Sequence, residues 1–218
     1  MSALRAFCLS LCFLTAPAAR ACDVALLLAI DVSGSIDAGE YRIQMEGTAD
    51  ALSEPAVAEA LVQARARIAL VQWSAGGMQA LSVGWQPIET TDDAHALAAR
   101  VRALPRAFVG ADTAVGEAIG FAADQFTPVA DCRRRVIDIS GDGAQNAGAP
   151  LAPLRSRALA AGIEINAIAI ESIGLSITVY YRSFVISRGG FVMTARGHTE
   201  YPQAIRMKLL REIGQPLG

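Results

Sequence analysis

Cys22-Asp-Val-Ala-Leu-Leu-Leu-Ala-Ile-Asp31-Val-Ser33-Gly34-Ser35-Ile-Asp37 is the stretch on which the reading of this chain turns. The apolar run is too short for a membrane helix and is closed by an acid and two hydroxyls one residue apart. It reads as a buried strand that delivers Asp31, Ser33 and Ser35 to a loop. In an open α/β sheet, ligands bind beyond the carboxyl ends of the strands. A carboxylate with two hydroxyls suits a hard divalent cation such as Mg²⁺, which takes oxygen ligands, keeps several waters and is commonly held by one or two carboxylates. Gly34 lets the loop fold tightly enough to turn both hydroxyls toward one point. Asp37, with Glu40 three residues on, is placed to cap the helix that follows.

Upstream, Met1 to Ala21 carries Arg5, an apolar run from Ala6 to about Ala16, and the small-x-small pattern Ala19-Arg20-Ala21. This reads as a secretory signal peptide cut before Cys22, leaving a domain over 22–218 in the periplasm or outside the cell. Lipidation of Cys22 is the alternative, although Arg20 sits badly in a lipidation box. No later run is long enough to span a bilayer. The 218 residues carry a formal net charge of −2, and removing Arg5 and Arg20 with the leader takes it to −4. A basic footprint for nucleic acid is absent. Lys208 is the single lysine, and it reads as a solvated position on a C-terminal helix.

Downstream, strand and helix alternate. Tyr41, Met45, Ala49 and Leu52 recur at helical spacing. A second helix over 56–64 feeds a strand over 68–73. The segment 78–88 reads as an antiparallel edge strand, because its link to the previous strand is too short for a helical crossover. A helix runs from the caps at 90–93 to about Leu104, and another carries Ile119, Ala122, Ala123 and Phe126 on one side. The apolar run 136–139, a helix over 150–161, a strand over 163–170, a helix over 178–186, a strand over 191–194 and a helix over 201–213 complete the pattern. This is one doubly wound α/β domain with a mostly parallel sheet and helices on both faces. Arg133-Arg134-Arg135 reads as a solvated charged run, and Asp138, a carboxylate inside a strand, as a structural residue that needs a partner. His95 and His198 stand alone in separate segments and read as surface or core residues.

The segment Asp31-Val-Ser33-Gly34-Ser35 resembles the Asp-x-Ser-x-Ser signature of von Willebrand factor type A (vWA) domains. Phe108-Val-Gly110-Ala-Asp112-Thr113-Ala-Val-Gly116 is similar to the family's second loop, with Thr113 at the metal-linked threonine. Ser140-Gly141-Asp142-Gly143 resembles the Thr-Asp-Gly turn of the third. Ala111 and Asp112 depart from the commoner glycine-rich pattern. Without the family, Thr113 reads as a helix cap. The resemblance covers the whole mature chain and runs nearest to a bacterial group of exported vWA-like proteins whose group name carries no activity. It implies a metal-ion-dependent adhesion site in which Asp31, Ser33, Ser35, Thr113 and Asp142 hold Mg²⁺ or Mn²⁺ and leave one position for an acidic side chain of a protein partner. Asp112 beside the site would oppose an acidic partner. The family sheet order also implies that Cys22 and Cys132 lie at one end of neighbouring strands, where an oxidising compartment favours a disulfide; two unpaired buried thiols are the alternative.

Two other readings compete with a non-catalytic binding domain. Asp31 with Ser140-Gly141-Asp142-Gly143-Ala-Gln-Asn146 also looks like a haloacid-dehalogenase-type phosphohydrolase with an aspartate nucleophile and Mg²⁺. That chemistry needs a carboxylate two residues after the nucleophile, where this chain has Ser33, and a lysine ahead of the Gly-Asp turn, which it lacks. The second competitor is a structural domain in which the metal only stabilises the fold. Neither a Gly-x-Ser-x-Gly nor a Gly-Lys-Ser/Thr motif occurs.

Overall fold

The computed structural model describes residues 22–172 and 174–214. The segment 1–21, expected to be a signal peptide, therefore lies outside the described residues. Strands β1 (Val24–Asp31), β2 (Arg67–Trp73), β3 (Gln79–Pro87), β4 (Arg134–Gly141), β5 (Glu164–Glu171) and β6 (Val192–Arg196) form one sheet in the order β3-β2-β1-β4-β5-β6. Every neighbouring pair is parallel except β2 and β3, which run antiparallel at one edge. The expected architecture is thus the one observed.

Helices α1 (Ala38–Ser53), α2 (Pro55–Gln63), α3 (Thr91–Arg102) and α7 (Tyr201–Ile213) cover one face of the sheet; α4 (Val115–Asp124), α5 (Leu151–Ala160) and the segment that begins with α6 (Ser176–Tyr180) cover the other. Successive β1 residues therefore feed opposite cores. Leu26, Leu28 and Ile30 pack with Met45, Leu52 and Leu97, whereas Ala25, Leu27 and Ala29 pack with Ile119, Ala122 and Ile137. Burial on both faces explains why β1 is apolar from Val24 to Ile30 instead of alternating. Asp37 caps α1 reciprocally with Glu40, as the spacing implies.

Cys22 precedes β1 and Cys132 precedes β4, and the two strands pair from Val24 and Arg134 onward. The two cysteines form a disulfide that closes a loop across a sequence separation of 110. In the chain-entropy description, a loop of that size is worth roughly 4–5 kcal/mol. No helix among the described residues is long and apolar enough to cross a membrane.

Three expectations change. The helix expected over 178–186 is one turn of α-helix followed by a π-helical turn, Tyr181–Val185, a device that often marks functional positions. Lys208 is fully buried, because its amine meets Asp138 of β4 at 3.1 Å and Glu212 one helical turn on at 2.6 Å. The partner that Asp138 needs is that lysine. Arg134 is also withdrawn from solvent, pairing with Glu164 at 2.8 Å and donating to the Glu212 carbonyl.

Candidate metal site

The strand order places β2 on one side of β1 and β4 on the other, so the connections leaving the carboxyl ends of β1 and β4 run to opposite sides. A crevice forms at such a switch point. Asp31 ends β1 fully buried, and the Ser33 amide donates to its Oδ1 at 2.8 Å, bending the loop back on the strand. The Gly34 amide donates to the Ala111 carbonyl at 2.6 Å, which ties the first loop to the second. A Cβ at Gly34 would lie 3.0 Å from that same carbonyl oxygen, so the close approach favours glycine.

The second loop places Thr113 against the first. Its Oγ1 donates to Ser33 Oγ at 3.3 Å, and Ser33 Oγ lies 3.3 Å from Ser35 Oγ. Ser35 Oγ in turn donates to Asp142 Oδ1 at 2.6 Å, across 107 residues of sequence. Helix α4 begins at Val115 with Ala114 at its cap and no side-chain cap bond. Thr113 is therefore not the cap that local sequence suggests; its hydroxyl is turned into the crevice. The structure brings all five expected side chains, Asp31, Ser33, Ser35, Thr113 and Asp142, to this one place.

Three residues the sequence did not single out for the site hold it together. Asn146 accepts from the Thr113 amide at 2.8 Å through its side chain and returns its own amide to the Thr113 carbonyl at 3.0 Å, clamping the second loop to the third. Arg106 donates to the carbonyls of Val32 and Ser33, each at 2.8 Å, and so braces the first loop from behind. Tyr181 opens the π-helical turn and is fully buried. A Cβ at Gly141 would sit 2.5 Å from Tyr181 Oη and 2.9 Å from Asp31 Oδ2. Glycine at 141 thus leaves the room into which the tyrosine hydroxyl projects.

The electrostatics are unfavourable for bare carboxylates. Burial pushes Asp31 up to about 7, and the charge of Asp142 pushes the same way, against the hydrogen bonds from Ser33. Burial also drives Tyr181 well up, with the charges of Asp31 and Asp142 adding to the effect. Asp31 Oδ2 and Tyr181 Oη are both buried without a hydrogen-bond partner. A buried acceptor left unpaired costs about 1–3 kcal/mol, and more when charged.

Two carboxylates and three hydroxyls form an all-oxygen donor set of the kind a hard cation takes. The hydrogen-bonded oxygens stand 2.6–3.3 Å apart, close to the roughly 2.9 Å between adjacent ligands of an octahedral ion held at 2.0–2.1 Å. The residues fit a metal. Among the described residues no group of three or more His, Cys, Asp or Glu is placed to hold a metal ion. His95 is exposed near Asp92, and His198 lies 3.1 Å from Glu40. Asp112 is exposed, and its carbonyl accepts from Ser74 Oγ.

Solved structures share this architecture. Proximal thread matrix protein 1 from the mussel byssus, in a structure with a zinc-occupied MIDAS motif, aligns with a TM-score of 0.67 at 19% identity over 87% of this chain and 48% of that one. The pilus adhesin SpaC from Lactobacillus rhamnosus GG aligns at 0.65 and 11% identity over 89% and 30% of the two chains. A von Willebrand factor type A protein from Catenulispora acidiphila aligns at 0.60 and 15% identity over 89% and 43%. The chain spans about half the length of the mussel protein and less of the other two. At these identities the likeness establishes the vWA-type fold. No curated protein matches the chain. The family described as "Protein of unknown function (DUF1194)" matches residues 21–217, so the chain belongs to that family, a vWA-like one.

Proposed function

We propose that this protein is an exported binding domain that holds one divalent cation, Mg²⁺ or Mn²⁺, through Asp31, Ser33, Ser35, Thr113 and Asp142, and recognises a protein partner through it. The observation that carries the reading is the meeting of these five side chains from three loops around a buried, unpaired carboxylate oxygen. When bound, the ion would supply the positive charge that Asp31 and Asp142 share. With only two formal charges from the protein it would stay electrophilic enough to accept a third carboxylate, an acidic side chain of the partner. Val109, exposed on the second loop just before Gly110, offers an apolar contact beside such an anchor. A zinc-occupied MIDAS motif in the mussel relative supports metal occupancy by analogy.

The disulfide fits an oxidising compartment, and with it a signal peptide over 1–21 and a domain over 22–218. Phosphohydrolysis finds less support. Ser33 stands where an acid/base carboxylate is required, and Lys208 is engaged by Asp138 and Glu212. Titration of the metal-free protein with Mg²⁺ or Mn²⁺ in a calorimeter tests the proposal. One ion per chain is expected, with loss of binding in Asp31→Ala; no heat in either protein would overturn it. Ion binding with every coordination position filled by the chain would instead favour the purely structural role.

A further inference from the structure

A second buried cluster owes nothing to the metal loops. Lys208 Nζ, fully buried under α7, lies 3.1 Å from Asp138 Oδ1 and 2.6 Å from Glu212 Oε1. All three side chains are at most 2% exposed, and the Phe191 ring covers the amine at 4.4 Å. The two carboxylates are treated differently. Glu212 Oε2 accepts from Asn166 Nδ2 at 3.2 Å and stands 3.8 Å from the Arg134 guanidinium, so both of its oxygens have partners. Asp138 has no directed hydrogen bond on either oxygen, and burial pushes it up to about 7, with Lys208 opposing and Glu212 adding. The result is an amine, a base beside it and a poorly solvated carboxyl group in contact, sealed from water.

We propose that Lys208 and Asp138 become joined by an intramolecular isopeptide bond between Nζ and Cγ, with Glu212 carrying protons. The Lys208 ammonium gives a proton to the Glu212 carboxylate, leaving a neutral amine. Its lone pair forms the bond to Cγ of the protonated Asp138 carboxyl. The Cγ–OH bond breaks, and the hydroxyl leaves as water with one of the two remaining amine protons, relayed through Glu212. The other stays as the amide N–H, and Glu212 retains the proton taken first. No oxidant or external reactant is consumed. Holding the groups in contact replaces a bimolecular condensation with an intramolecular one, worth effective molarities of about 10⁵–10⁸ M when the reacting atoms are aligned. The dry surroundings slow the reverse hydrolysis. The bond would fix α7 to the strand that feeds the third loop, since Asp138 lies four residues before Asp142 on the same chain segment. It does not depend on whether that loop binds an ion.

Tryptic mapping of the reduced, alkylated full chain tests this directly. The expected result is a branched peptide, 136–155 joined to 207–211, one water lighter than its two parts and uncut after Lys208. Linear 136–155 and a free peptide ending at Lys208, with no branched species, would overturn the proposal. In folded Glu212→Gln the linear peptides are expected to dominate; undiminished branching there would remove Glu212 from the proton relay.

Discussion

Strand β4 serves two polar clusters, each built on a buried carboxylate, that solve one electrostatic problem in opposite ways. Under α7, before any bond joins them, Asp138 and Glu212 share the charge of Lys208, brought in by the same chain. Just past the end of the strand, Asp31 and Asp142 stand together, and the charged group that most affects Asp31 is Asp142 itself, of the same sign. A buried carboxylate needs a counter-charge. The first cluster contains one, and the second is built of oxygens arranged as a hard cation would require. Placed on one strand, the two show that a carboxylate's role is set by what the fold brings opposite it.

The comparison can be broken most forcefully at Lys208. Lys208→Met removes the amine that faces two buried carboxyl groups, and with it any bond to Asp138, and should cost at least about 3–5 kcal/mol in urea unfolding. Asp31→Ala, which removes a carboxylate that lacks a cationic partner, should cost far less in ion-free buffer, and equal losses would erase the distinction. Saturating Mg²⁺ or Mn²⁺ should act on one cluster only. At a hundredfold excess over Kd the gain is about 2.7 kcal/mol, read as a raised melting temperature, and it should vanish in Asp31→Ala and Asp142→Ala.

The pH dependence sharpens the contrast. Asp31 is raised from its ordinary value to about 7, so between about pH 4 and 7 the folded state binds the proton more tightly than the unfolded one, and ion-free stability falls as pH rises through that window. A bound cation keeps Asp31 ionised. The stabilisation by Mg²⁺ should therefore be larger at about pH 8 than at about pH 5, and a pH-independent increment would contradict this. The smallest effect is expected from Tyr181→Phe. It removes a buried hydroxyl with no hydrogen-bond partner, so ion-free stability should change by no more than about 1 kcal/mol or rise. A larger loss would reveal a bond from that hydroxyl to Asp31.

The sheet and the five site residues were legible because their signals are local. An apolar run, Asp-x-Ser-x-Ser at its end and Gly-Asp-Gly after another strand each fit within a few residues, and family resemblance supplied their meeting. The same holds for Asp138, whose need for a partner is visible from a carboxylate in an apolar strand. Its partner was not visible. A lone lysine on an amphipathic helix reads as solvated unless the distant carboxylate it faces is known. Arg106 and Tyr181 went unseen, and Asn146 was not linked to the second loop, for a related reason. Asn146 and Arg106 act through backbone atoms far along the chain, and Tyr181 depends on a π-helical turn that sequence periodicity does not announce. The helix register over 178–186 failed at that same turn.

A crystal grown with Mn²⁺ and measured for its anomalous signal tests most directly whether three loops share an ion. A single strong peak bounded by Asp31, Ser33, Ser35, Thr113 and Asp142 is expected. Saturating Mn²⁺ with no peak there, or with the signal elsewhere on the molecule, would contradict the assignment.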